Sequence, residues 1–348
     1  MLRPLMNTHE NDRVDRASAP PSGSNAESFA AAGQVAGERL ARVAEDVGHA
    51  LALVRREALP FARELTEKTK QRLDALAQAL LGPDFHDRIA RVPMRLGPSG
   101  VDPFGFDPEV AKYALIVAAF FHRVWFRTEV HGIENVPRGR VLLISNHSGQ
   151  VPLDGMMIGA SMFLDAEPPR FIRSMVEKWT QTLPFVGTFF SRCGQVVGVP
   201  ENARTLLNNE EMLLVFPEGT RGISKPISQR YQLTDFGLGF MRLALETGTP
   251  IVPIAVVGAE EQYVNFGNVG ALARLLRMPV FPMIPQIFIP GGQMPLPVKY
   301  RLYVGEPLLF DGDPDDDDAV IEEKVWMVRA TIQSMINRGL KERRGIFW

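Results

Sequence analysis

The stretch LLISNHSGQVPLDG, residues 142–155, decides how the chain is read. Its apolar opening predicts a buried strand, which gives out into a short polar loop carrying His147. Pro152 suits the first position of a helix, because its ring fixes φ and the N–H it lacks would have had no intrahelical partner. Asp154 then falls in the first helical turn, and an imidazole stands at the end of a strand. Histidine exchanges protons near neutrality, and a nearby carboxylate can hold the tautomer that leaves one ring nitrogen free to accept a proton. His147 and Asp154 are therefore candidate catalytic residues. The same two residues also fit an ordinary loop hydrogen bond and a carboxylate stabilised at a helix start.

A second stretch has the same shape. EMLLVFPEGTRG, residues 211–222, is an apolar run that ends abruptly in Pro217, Glu218, Gly219, Thr220 and Arg221. Glycine lets backbone approach a ligand, threonine offers a hydroxyl, and arginine presents a planar fork matched to phosphate or carboxylate. A tight turn with a solvated arginine accounts for the same residues. Two polar constellations, each following a buried strand, point to one shared cleft.

Working outward, strands are expected over 141–145, 171–175, 195–199, 212–216, 251–257 and 298–304. Helices are expected over 152–164, 201–208 and 236–247, with a helical stretch around 177–183. This alternation predicts an α/β fold, a mainly parallel sheet flanked by helices, in which binding groups gather beyond the strand C-termini. The domain is expected over 106–348. Residues 1–28 have too little periodic apolar content to specify a fold and read as a disordered tail. Residues 29–105 carry apolar helical stripes, among them Leu40, Val43 and Val47 and then Leu73, Leu76 and Leu80, before a stretch rich in Pro and Gly. They predict an N-terminal amphipathic helical appendage and a linker.

Two segments raise the question of lipid. Residues 108–126 read equally as a buried helix or, with Trp125 beside Arg123 and Arg127, as a helix at a headgroup boundary. Residues 270–290 combine Leu272, Leu275, Leu276, Phe281 and Phe288 with Arg274 and Arg277, and their prolines break any continuous helix. That composition suits a lipid-facing lip or a buried cover. The longest apolar segment, 113–121, is far shorter than the ~20 residues a spanning helix needs.

At 348 residues, with 45% hydrophobic and 22% charged, the chain can build the core of one large domain. A net charge of -2 gives no general signal for nucleic acid, so no nucleic-acid partner is expected. The single cysteine, Cys193, has no partner for an intrachain disulfide and reads as a small buried residue. No metal site is expected. The acidic run 311–318 reads as the solvated approach to the last helix, since it lacks the glycine and terminal glutamate of a calcium loop. The N-terminus has charged and polar residues where a secretory signal would be apolar. There is no G-x-S-x-G elbow and no Walker loop, and Gly237 and Gly239 do not sit in the strand-to-helix turn a dinucleotide site requires.

Four pieces taken together are more specific than any one. NHSGQVPLD (146–154), GTFFSRCG (187–194), VFPEGTRG (215–222) and IVPIAVVG (251–258) resemble, in order, the four blocks of the glycerolipid acyltransferases. That family includes glycerol-3-phosphate and lysophosphatidate acyltransferases, and the similarity, over roughly 112–348, is to a bacterial branch. It implies that His147 and Asp154 are catalytic and that Arg192, Glu218, Gly219, Thr220 and Arg221 bind the acceptor. In one respect the chain departs from the family: six residues separate His147 from Asp154, where four are usual.

The resemblance implies transfer of a fatty acyl group from acyl-CoA or acyl-carrier protein to a hydroxyl of glycerol 3-phosphate, a lysophospholipid or a related lipid. His147 would be the general base, and no cofactor is needed beyond the thioester co-substrate. A neutral alcohol such as diacylglycerol is the alternative acceptor. A thioester or lipid hydrolase and a catalytically silent lipid-binding protein are the alternative functions. The expected partners are the thioester donor and a membrane lipid surface, with the protein peripheral on the cytoplasmic face of the membrane. The oligomeric state is left open.

Overall fold

A computed structural model describes Glu45 and residues 67–348, apart from 148–152, 184, 276–280 and 290–291. The expected tail and first helical stripe lie outside the described residues. The strands are β1 (Glu129–His131), β2 (Val141–Ser145), β3 (Ile172–Val176), β4 (Val196–Val197), β5 (Met212–Val215), β6 (Ile251–Val257) and β7 (Arg301–Val304). The helices are α1 (Glu67–Leu81), α2 (Phe85–Arg91), α3 (Pro108–Phe120), α4 (Leu153–Leu164), α5 (Val186–Arg192), α6 (Pro200–Asn208), α7 (Thr220–Ile223), α8 (Gly239–Thr247), α9 (Gly270–Leu275) and α10 (Asp318–Glu342).

The strands form one sheet in the order β1-β7-β6-β2-β5-β3-β4. Every pairing is parallel except β6 with β7, so the expected mainly parallel sheet flanked by helices is present. β2 lies at the centre, with Leu143 opposite Leu214 of β5 on one side and Val252 of β6 on the other. All five residues of β2 are buried, as expected of a parallel strand covered on both faces. Leu142 and Ile144, two apart, join one core with residues of α6, α8 and α10, among them Leu206, Phe240, Val325 and Ile332. On the opposite face α4 comes close to the sheet. A Cβ on Gly159 would meet Ile172 at 3.2 Å, and one on Gly155 would touch Phe216 at 3.5 Å.

Two expectations change. The 108–126 segment is a core helix: Leu115 through Phe121 are all buried, and α3 continues into a π-helical turn, Phe121–Trp125. Asp107 caps α3, accepting from the Glu109 and Val110 amides, with Pro108 in the first turn. The apolar run is therefore enclosed by protein and does not offer a membrane face.

The boundary near 105 does not divide two bodies within the described residues. Leu76, Ala77, Leu80 and Leu81 of α1 are buried, and Arg123 donates to the Leu80 carbonyl at 2.7 Å. In α2, Arg88 donates to the Phe163 and Ala166 carbonyls at the end of α4. The expected linker is pinned as well: Asp102 accepts from the Phe104 and Phe106 amides and pairs with buried Arg173 of β3 at 2.6 Å. Apolar stripes on short helices found their partner in the domain next to them, the usual fate of an amphipathic face.

Candidate active site

Because β2, β5 and β6 run in parallel side by side, the loops that follow them emerge at the same end of the sheet. They carry His147, Glu218 and Glu260 respectively. Asn146 fixes the point at which β2 stops. Its side chain donates to the Val256 carbonyl at 3.1 Å and accepts from the Val256 amide at 2.8 Å, continuing the ladder by one artificial rung.

The next residue is held in three ways. His147 Nδ1 lies 2.8 Å from Asp154 Oδ2, its ring stacks on Phe216 with centroids 4.1 Å apart, and its amide donates to Glu218 Oε1 at 3.1 Å. Asp154 is fully buried, while the His147 side chain is 14% exposed. A carboxylate can only accept, so Nδ1 carries the proton and Nε2 presents its lone pair. Nε2 has no hydrogen-bond partner among the described residues. The turn after Glu218 presses against this group, since a Cβ on Gly222 would stand 2.9 Å from the His147 carbonyl oxygen. Gly219, at φ 57° and ψ -144°, occupies a conformation open to glycine and little else.

Glu218 is placed differently from an acceptor ligand. It is 1% exposed, and its carboxylate is taken up by the chain itself. Oε1 accepts from the His147 amide, while Oε2 accepts from the Thr234 amide at 2.9 Å, the Thr234 hydroxyl at 3.0 Å and Lys225 Nζ at 3.3 Å. Thr220 opens α7 and is half-buried. Arg221 is exposed and donates one nitrogen to the Asp235 carbonyl at 2.9 Å. Arg192 ends α5, and its carbonyl accepts the Asp107 amide at 3.0 Å, a tie to the start of α3. Cys193 is no nucleophile, because burial, with Asp107 nearby, pushes its thiol up to about 12.

Behind the site lies a buried charge cluster that the sequence reading missed. Lys225 Nζ contacts Glu218 Oε2 and, at 3.1 Å, Glu260 Oε1. Burial pushes Glu260 up to about 7, against the pull of Lys225. Beside it, Tyr231 donates to Glu261 at 2.8 Å, and Arg343 from the end of α10 grips the same carboxylate with both nitrogens. One signal was available. Glu260 and Glu261 directly follow a fully buried strand, the position in which His147 and Glu218 had been noticed.

A cavity of about 610 Å³ lies elsewhere. It is lined by Arg138, Arg170, Phe171, Glu210 and Glu211, which precede β2, β3 and β5, so it opens at the other end of the parallel strands. The His147–Asp154 pair is not part of this cavity's lining.

The chain is similar to several known proteins. Residues 127–257, which contain both His147 and Glu218, match the family model described as Acyltransferase. An uncharacterised protein of Mycobacterium bovis is 36% identical over 302 residues, covering 84% of this chain and 82% of that one. The chicken protein named "DGAT1/2-independent enzyme synthesizing storage lipids" is 25% identical over 222 residues, covering 63% of this chain and 62% of that one. Among solved structures, the 1-acyl-sn-glycerophosphate acyltransferase PlsC of Thermotoga maritima matches with a TM-score of 0.46 at 20% identity, over 78% of this chain and 93% of that one. The family model, with the four blocks in order, places the chain in the acyltransferase family, and within it the blocks are those of the glycerolipid acyltransferases.

Proposed function

We propose that the protein transfers a fatty acyl group from a thioester, acyl-CoA or acyl-carrier protein, to a lipid hydroxyl, with His147 as general base and Asp154 as its partner. The observation that carries this reading is the 2.8 Å contact between His147 Nδ1 and the fully buried Asp154 carboxylate. His147 Nε2 takes the proton of the acceptor hydroxyl as its oxygen attacks the thioester carbonyl. The new C–O bond forms, the C–S bond breaks, and the imidazolium returns the proton to the departing thiolate. Asp154 stabilises the imidazolium between the two steps. The His147 amide is already engaged by Glu218, so it is not a donor to the oxyanion.

The acceptor in this reading is phosphorylated, glycerol 3-phosphate or a lysophospholipid. Arg221 supports it, being exposed on the turn beside His147 with one guanidinium nitrogen anchored and the rest of the fork turned to solvent. A neutral alcohol such as diacylglycerol is the second reading, favoured by the likeness to a storage-lipid enzyme.

Lipid is met at the excursion between β6 and β7. Phe266, Leu275, Met283, Phe288 and Ile289 are between 45% and 84% exposed there, and exposed Arg274 adjoins Leu275. No helix among the described residues is long and apolar enough to cross a membrane. An apolar and basic edge of this kind suits reversible contact with an anionic cytoplasmic leaflet.

Thiol release from palmitoyl-CoA, measured with no acceptor, with lysophosphatidate and with diacylglycerol, tests the proposal. Acceptor-dependent release that is lost in His147→Ala is expected. Acceptor-independent release would indicate a hydrolase, and no release under any condition a silent binding protein. Preference for diacylglycerol would move the acceptor to the second reading.

A further inference from the structure

We propose that Lys225 is a positioning residue of the transfer reaction, acting through Glu218 to hold the His147 loop in its working place; this rests on His147 being the base. Lys225 lies outside the four family blocks, in the turn after α7, and its side chain is 4% exposed. An ammonium has three N–H donors, and all three are used: Glu218 Oε2 at 3.3 Å, Glu260 Oε1 at 3.1 Å and the Gln232 carbonyl at 3.1 Å. Its own carbonyl is held by the Asn265 amide at 3.0 Å. The ammonium is fully committed within the protein.

Glu218 receives four donors, one on Oε1 and three on Oε2, and only an ionised carboxylate has the lone pairs for them. A glutamine in its place would offer one oxygen and aim an NH₂ group at a donor. Lys225 is the cation in contact with this buried carboxylate and offsets its charge. Burying two carboxylates and an ammonium together is a weak route to stability, because well-packed apolar side chains serve as well or better. The arrangement makes sense through what the fourth donor is. It is the amide of His147, and it is the one donor on Oε1.

Without Lys225, Glu218 Oε2 loses one of its three donors and the cation that offsets its charge, and the carboxylate is no longer held in the place from which Oε1 meets the His147 amide. The His147 loop then moves relative to Asp154, and displacement of a catalytic group by about 1 Å costs as much as ~100-fold in rate.

The test compares Lys225→Met, Glu218→Gln and the double variant in the full chain, by thiol release from palmitoyl-CoA with whichever of lysophosphatidate or diacylglycerol supports turnover. Lys225→Met is expected to lower kcat by about 10- to 100-fold, to leave both KM values within about twofold, and to add nothing to the loss caused by Glu218→Gln alone. Losses that multiply in the double variant would show that Lys225 does not work through Glu218 and would overturn the proposal. So would a folded Lys225→Met with kcat within about twofold of the parent. If Lys225→Met fails to fold because Glu218 and Glu260 then repel, Lys225→Met/Glu260→Gln removes the repulsion while still denying Glu218 its cation, and the same outcomes apply. His147→Ala is run beside them. Turnover that survives in His147→Ala refutes the catalytic reading itself, whereas turnover lost there but intact in Lys225→Met refutes only the role of the lysine.

Discussion

Replacing Asp154 by asparagine exchanges one oxygen for an NH₂ group and should disable the enzyme through the histidine. Asp154 Oδ1 accepts the Gly155 amide at 2.8 Å, and Oδ2 accepts from His147 Nδ1 at 2.8 Å. The amide of an asparagine has one oxygen, and the Gly155 N–H can be satisfied only by that oxygen. The NH₂ group is therefore turned toward His147 Nδ1, where a donor faces a donor. The imidazole responds by moving its proton to Nε2, the nitrogen that must accept the substrate proton, and the base is lost. The charge that stabilised the imidazolium goes as well. For two unit charges about 4 Å apart at an effective dielectric of about 20, that attraction is worth about 4 kcal/mol, or roughly a thousandfold in rate. Asp154→Asn is nearly isosteric in a fully buried site, so the fold should survive. The assay is kcat at neutral pH with the thermal midpoint measured alongside. A folded Asp154→Asn within about threefold of wild-type kcat would show that the carboxylate does not set the tautomer, and the mechanism written above would be wrong.

Stability should depend on two buried groups with opposite signs. Burial, with Arg123, holds His122 down to about 4 from 6.5, so between those values the unfolded chain binds a proton that the folded chain does not, and stability falls as pH drops through the window, by at most about 3 kcal/mol. Glu260 is raised to about 7 from 4.5, so its folded form holds the extra proton and its contribution is present below 4.5 and lost as pH rises through 7. The two slopes offset between pH 4.5 and 6.5; His122→Gln should expose a stability that declines with pH there in urea titrations, and a flat profile in that variant would contradict the assignment. Leu275→Asp/Phe288→Asp, at 77% and 84% exposure, should weaken sedimentation with anionic vesicles while leaving the thermal midpoint unchanged; binding that persists in the folded variant removes this lip from the lipid surface. Deleting Gly149 and Gln150, which restores the four-residue spacing usual in the family, should leave turnover within about tenfold of the parent, and complete loss would mean that the longer loop itself supplies catalytic groups.

Much of the framework was legible because its signals are strong. Runs such as MLLV and IVPIAVV are buried on both faces and announce central parallel strands, and His147 and Glu218 drew notice by standing where those runs stop. What sequence withheld was direction. Glu218 in a Pro-Glu-Gly turn reads as a group offered to a ligand, yet the backbone points it inward, where Thr234 and Lys225 meet it from segments with no local pattern. Residues 108–126 have a composition that suits core and headgroup boundary alike, and only the packing of α1 against α3 decides between them. β1 has three residues, none buried, and its pairing with β7 some 170 positions away has no local signature. Lys225 itself reads as an ordinary surface lysine.

The unusual spacing of the dyad becomes understandable once the supports of each partner are separated. His147 is fixed by its own side of the loop: Asn146 locks the end of β2 to Val256, Glu218 holds the His147 amide, and Phe216 backs the ring. Asp154 is fixed from the other side, by α4, which Gly155 and Gly159 allow to sit against Phe216 and Ile172. Neither position depends on the number of residues between them, so two additional ones can be accommodated while Nδ1 and Oδ2 remain 2.8 Å apart. The same logic explains the buried charges. β5 and β6 flank β2, at about 4.8 Å per strand, so Lys225 in contact with both Glu218 and Glu260 ties together the loops on either side of the central one. His147 is thus placed by the sheet and its neighbouring loops.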